Sequence, residues 1–186
     1  MRRFTITNLT LSGLKLISRK RLGDSRGFFE RLFCSDELSD AGWHKPIAQL
    51  NCALIARSGT VKGMHYQAPP KAEMKLVTCI QGKVLDVAVD IRAGSPTFLQ
   101  WHSEILSADN AQALIIPEGF AHGFQTLTDD VTLLYCHTVA YNPEAERALH
   151  AQDPRLSITW PLAITEISPK DNGHPLLDIK FEGLRL

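Results

Sequence analysis

The chain has no excess of charge of either sign: of its 186 residues, 20 are Lys or Arg and 20 are Asp or Glu. With a formal net charge of zero, no global field draws it to nucleic acid or to a membrane surface. Cysteine is sparse, and Cys34, Cys52, Cys79 and Cys136 form no Cys-x-x-Cys pair. They read as reduced thiols rather than a disulfide frame. Met1-Arg2-Arg3-Phe4 lacks the apolar stretch that follows the charged start of a signal peptide. No run approaches the ~18 apolar residues of a membrane span. These absences predict a cytoplasmic protein with neither a nucleic-acid nor a membrane partner. Internal repeats, low-complexity tracts and Pro-, Gly- or Ser-rich linkers are missing too, so one domain over residues 1–186 is expected, at a length that suits a sizeable core.

Helix signals are also few. Residues 35–40 have the composition of a capped short helix, and residues 142–146 that of the start of another. What the chain has in quantity is short β-type segments between turn residues. The clearest is 83–92, rich in β-branched residues and bounded by Gly82 and by Gly94-Ser95-Pro96. Others are 4–9, 14–18, 28–33, 47–56, 75–80, 98–106, 111–116 and 131–141. Many strands with few helices predict an all-β sandwich or barrel, and a small barrel is concave enough to receive a ligand.

Four reactive groups stand out. His65 lies in Val61-Lys62-Gly63-Met64-His65-Tyr66-Gln67, with Lys75 soon after, Tyr135 in a later apolar segment and Asp171 near the end. An imidazole accepts a proton near neutral pH with little tuning. A carboxylate such as Asp171 on its other nitrogen fixes the tautomer and stabilises the imidazolium. An ammonium beside a carbonyl oxygen stabilises an enolate, and a phenol on the opposite wall returns a proton to the other face. That division of labour is epimerisation beside a ketone. Taken singly, each residue has a plainer reading: Tyr135 as core, Lys75 with Glu73 as a surface ion pair worth under ~1 kcal/mol, Asp171 as a turn aspartate.

Together the segments resemble the dTDP-4-dehydrorhamnose 3,5-epimerase family, metal-independent members of the cupin class. The likeness runs from Asp24 to about Asp171. It rests on Asp24-Ser25-Arg26-Gly27-Phe28-Phe29, Gln49-Leu50-Asn51, Gly63-Met64-His65-Tyr66-Gln67, Lys75-Leu76-Val77 and Asp86-Val87-Ala88-Val89-Asp90. It continues through Gly94-Ser95-Pro96-Thr97, Leu106-Ser107-Ala108-Asp109-Asn110, the stretch from Pro117 to Phe124, and Trp160-Pro161. The resemblance implies a cupin-like jelly-roll barrel and a homodimer that exchanges N-terminal strands (about residues 1–20) and completes each site from the neighbouring subunit. It implies His65 as general base, Asp171 as its partner, Tyr135 as general acid and Lys75 as the cation at the carbonyl. Arg26, Gln49, Asn51, Lys62, His122 and Tyr141 fall where the family contacts the sugar, the diphosphate or the thymine. The implied substrate is a nucleoside-diphosphate 4-keto-6-deoxyhexose, with no cofactor. The alternatives are a related cupin 3,4-ketoisomerase and a catalytically silent sugar-nucleotide binder.

Two departures bear on substrate reading. Lys62 stands where the family usually has arginine, and an ammonium cannot make the two-pronged phosphate contact of a guanidinium. The glutamate that the family often carries two places after Phe-Phe is replaced by Arg31, with Glu30 one position early; on a strand that shift sends the carboxylate to the opposite face. No metal is expected, because metal-binding cupins place two histidines on alternate strand residues and the second position here is Gln67. His44, His102, His137, His150 and His174 form no ligand-spaced cluster and read as solvent-facing or structural.

Overall fold

The computed structural model describes residues 2–186. In chain order the strands are β1 (Phe4–Asn8), β2 (Lys15–Arg19), β3 (Leu22–Asp24), β4 (Gly27–Phe29), β5 (Gln49–Ile55), β6 (Thr60–Gln67) and β7 (Lys75–Gln81), then β8 (Lys83–Asp90), β9 (Trp101–Ser107), β10 (Gln112–Ile116), β11 (Phe120–Thr126), β12 (Val131–His137), β13 (Glu146–Ala148) and β14 (Glu166–Ile167). Two one-turn helices, α1 (Ser35–Leu38) and α2 (Pro169–Asn172), complete the regular structure apart from a short 3₁₀ turn after α1.

One sheet has the order β1-β2-β10-β7-β12-β5 and the other β13-β6-β11-β8-β9, with β14 added in parallel to β6. The sheets pack through a shared apolar interior in which Val77, Leu114 and Leu133 of the first meet Val84, Phe120 and Phe124 of the second. This is the expected jelly-roll barrel. Both outer faces are also covered. Leu38, Ala41 and Trp43, from the α1 region, lie over Leu76, Ile115 and Cys136 of the first sheet. Leu149, Leu156 and Trp160 lie over Val87 and Val89 of the second. Strand β8 therefore reads as an almost unbroken apolar run, because Val84 and Ala88 face the inner core while Val87 and Val89 face the outer layer.

Several local expectations differ from what forms. Residues 142–146 do not begin a helix. The Asn142 side chain accepts hydrogen bonds from the Glu144 and Ala145 backbone N–H groups (2.9 and 3.1 Å), and this turn delivers the chain into β13. The segment 28–33 is a strand only to Phe29. Residues 30–33 have no strand geometry, so the face-reversal argument for Glu30 does not apply; Glu30 instead pairs with Arg19 and Arg21 (both 3.2 Å), and Arg31 pairs with Glu37 (2.5 Å).

The two central strands β6 and β11 have no counterpart among the expected segments, although β6 carries His65. Gly63 and Gly123 weaken their strand signal. Close approach of the backbones requires both: a Cβ on Gly63 would stand 2.5 Å from the Gly123 Cα. The pairing slips at this point, between His122–His65 and Phe124–Lys62. Such a bulge re-aims side chains. Here it lets Lys62 and His65, three positions apart, both face the cavity described next.

Candidate active site

A cavity of about 260 Å³ opens between the sheets. Strand β6 contributes Lys62, His65 and Gln67; β11 contributes His122; β7 contributes Lys75; β12 contributes Tyr135 and His137; β5 contributes Asn51. His65 and His122 are paired neighbours on one sheet, while Tyr135 and Lys75 project from the other. The His122 and Tyr135 rings meet edge-to-face across the space, with centroids 6.2 Å apart. An imidazole and a phenol, 70 positions apart in sequence, thus flank one cavity from opposite walls.

Asp171 lies behind His65, outside the cavity lining. Ser168 caps α2 by accepting from the Asp171 N–H (3.0 Å), with Pro169 preset at the first helical position. This places the Asp171 carboxylate 2.8 Å from His65 Nε2, and it also accepts from the Gly63 N–H (3.3 Å). A carboxylate only accepts, so Nε2 carries the proton and Nδ1 of the neutral ring keeps its lone pair. Burial pushes the Asp171 carboxyl up, but the His65 hydrogen bond and charge and the Gly63 N–H outweigh it and hold the group below its ordinary value. The turn aspartate of the sequence is therefore the buried half of a dyad whose imidazole stays partly exposed.

Tyr135 is not simply core. Its ring packs against the interior cluster and also faces the cavity. Burial, reinforced by the negative charge of Asp86, pushes the phenol well up, so it stays protonated throughout the physiological range. Lys75 likewise is not on the surface. Its ammonium lies 3.2 Å from Glu73 with both side chains nearly buried, and it donates to the His65 carbonyl (3.2 Å).

Of the residues expected at the substrate, Asn51, Lys62, His122 and Tyr141 line the cavity. Gln49 does not, but it supports that rim by accepting from the Tyr141 N–H (2.8 Å) and donating to Asn51 (3.1 Å). Arg26 is not brought to the site. It sits on the exposed β3–β4 hairpin, paired with Asp24 (2.6 Å) beside Phe28 and Phe29, which are 60% and 66% exposed. Among the described residues no group of three or more His, Cys, Asp or Glu is placed to hold a metal ion.

Sequence reading assigns no site role to Asp86, Glu146 or His137, and gives Glu73 only a surface pair with Lys75. Asp86 receives His122 Nε2 (2.9 Å). Glu73 holds both Lys75 and His137. Glu146 accepts from the Tyr141 hydroxyl (2.9 Å) and pairs with Lys170 (2.7 Å). His137, which reads from the sequence as solvent-facing or structural, lies two positions beyond Tyr135, and alternate strand residues share a face; that spacing was the available signal. Asp90, within the resembling segments, serves the fold. Its carboxylate gathers Arg92, Ser95 and Thr97, which outweigh burial and hold its pKa down to about 2.

Comparison with known proteins gives consistent results. Residues 8–178 match the family model described as dTDP-4-dehydrorhamnose 3,5-epimerase. A dTDP-4-dehydrorhamnose 3,5-epimerase of Sinorhizobium fredii is 41% identical over 175 residues, covering 91% of this chain and 88% of its own. A dTDP-4-dehydrorhamnose 3-epimerase of Streptomyces niveus is 36% identical, covering 91% and 82%. The crystal structure of a dTDP-6-deoxy-D-glucose-3,5-epimerase of Legionella pneumophila in complex with dTDP-4-keto-L-rhamnose superposes with a TM-score of 0.91 at 39% identity, covering 98% of this chain and 99% of that one.

Proposed function

The chain belongs to the dTDP-4-dehydrorhamnose 3,5-epimerase family, and from that premise we propose that it inverts C3 and C5 of a dTDP-linked 4-keto-6-deoxyhexose. It is an isomerase. The C4 ketone acidifies the hydrogens on both neighbouring carbons. His65, oriented through Nε2 by Asp171, removes one with Nδ1. Lys75 stabilises the enolate oxygen, and Tyr135 delivers a proton to the opposite face. Oxidation state does not change, so the chemistry calls for no redox cofactor. The reading is carried by the placement of His65 and Tyr135 on opposing sheets around a cavity that also holds Lys75.

In deuterium oxide the product should carry solvent deuterium at both C3 and C5, read by NMR of the recovered ketosugar. Label at C3 alone would make the enzyme a 3-epimerase. Label at neither carbon would overturn the reading.

The binding roles follow the same lines. Asn51, Lys62 and His122 contact the sugar and diphosphate, and Tyr141 offers its ring face to the base. Lys62 gives the phosphate a point charge only. Gln49 acts through Tyr141 and Asn51 rather than from the cavity wall. We read residues 1–186 as a single domain that works as a cytoplasmic homodimer; among the described residues no helix is long and apolar enough to cross a membrane. The dimer is supported by the hairpin that carries Arg26: it lies away from its own cavity and exposes Phe28 and Phe29, as an arm reaching a second copy would. Sedimentation at assay concentration should give about twice the 20.7 kDa chain mass. A monomer with full activity would remove both the dimer and the role for Arg26.

A further inference from the structure

Glu73 and His137 stand outside the proton-transfer set, yet both line its cavity. Their geometry repeats that of His65 with Asp171 and of His122 with Asp86: one ring nitrogen rests on a buried carboxylate. His137 Nδ1 is 3.0 Å from Glu73 Oε2, which also accepts from Gln67 Nε2 (3.1 Å), while Oε1 lies 3.2 Å from Lys75 Nζ. Burial pushes the Glu73 carboxyl up, but the His137 hydrogen bond and the Lys75 charge outweigh it, so it stays an anion. Nδ1 must then carry the proton, and the neutral ring is left with a lone pair on Nε2.

That lone pair is nearly unspent. The side chain is 13% exposed, and Nε2 meets the Asn51 amide at 3.5 Å, the outer limit of a hydrogen bond. An acceptor so placed on the cavity wall is free to take a hydrogen bond from a ligand that enters. Its location says what the donor is. His137 lies directly opposite Lys75 on the neighbouring strand. Its ring stacks on that of Tyr135, with centroids 6.3 Å apart and planes inclined by 27°. The ammonium and the phenol both serve the hexose ring, so the acceptor beside them borders the hexose rather than the nucleotide.

We propose that His137, held by Glu73, is a further substrate-binding residue that accepts a hydrogen bond from a hydroxyl of the hexose. The proposal rests on the epimerase reading above. It is tested with His137→Leu, which removes the acceptor, His137→Asn, whose amide is too short to reach as Nε2 does, and His137→Gln, which reaches about as far. Turnover is measured with the dTDP-4-keto-6-deoxyhexose and binding with dTDP alone. His137→Leu and His137→Asn should each lower kcat/KM about tenfold, as expected for one lost hydrogen bond that leaves a buried group unpaired. His137→Gln should recover most of that loss. All three should bind dTDP within about twofold of wild type, because the contact is to the sugar.

Wild-type kcat/KM in His137→Asn or in folded His137→Leu would overturn the proposal. So would a loss of dTDP affinity as large as the loss of kcat/KM, which would assign the ring to the nucleotide. Failure of the wild type to turn over the ketosugar strikes the epimerase reading itself. Normal wild-type turnover with an indifferent His137 strikes this proposal alone.

Discussion

His65→Ala is expected to slow ketosugar epimerisation by about 10²–10⁴-fold, the usual contribution of a positioned acid–base group. The fold should survive, for three reasons visible around the residue. Its side chain is 35% exposed, so truncation leaves no sealed void. Strand β6 is held by backbone pairing to β11 and β13, which the substitution leaves untouched. Asp171 loses its imidazole but still accepts from the Gly63 N–H. The loss should fall on proton abstraction, so deuterium exchange at C3 and C5 should decline in step with product formation. Initial rates and exchange measured on the same sample check this, with circular dichroism confirming the fold. An unchanged rate would remove His65 from the mechanism.

Much of the barrel was legible because its strands alternate or are bounded by turn residues. Residues 83–92 form β8 almost as expected, and a short helix does form at Ser35–Leu38, but the capping expected there does not: Cys34 holds the N-cap position and no side chain caps it. What escaped did so for identifiable reasons. β6 and β11 meet so closely that glycine is required on both, and glycine removes the side-chain signal by which a strand is read. At 142–146 the Asn142 side chain satisfies backbone groups that a helix would otherwise have claimed.

The site shows the same division. The structure brings His65, Lys75 and Tyr135 to one cavity with Asp171 behind it, while long-range packing buries Asp171 and takes Lys75, with its Glu73 partner, off the surface. The pair of Glu73 with Lys75 was legible, but its contact with His137 was not, since the two lie 64 positions apart and β7 and β12 must pair before they meet. Arg26 marks a different limit: its local motif fixes a hairpin, and the fold leaves that hairpin exposed and away from the cavity.

Tyr135→Phe separates the two halves of the reaction. Phenylalanine keeps the ring that packs on the interior cluster, so stability should change little while the hydroxyl is lost. Abstraction by His65 should continue. The resulting enolate then has no donor on the far wall and must recover its proton from His65, on the face from which it left. Because His65 is 35% exposed and also borders a second surface cavity near Thr60 and Lys170, its proton can exchange with water before it returns. The expected result is therefore deuterium in the recovered substrate without inversion, and a fall in epimerised product of about 10²-fold or more. Burial that raises the phenol's pKa fits this role, since the group stays protonated until it meets a base as strong as an enolate carbon. NMR of the sugar reports label and configuration in one experiment. Inverted product at the wild-type rate would show that the hydroxyl only packs, and that the opposite wall supplies no proton.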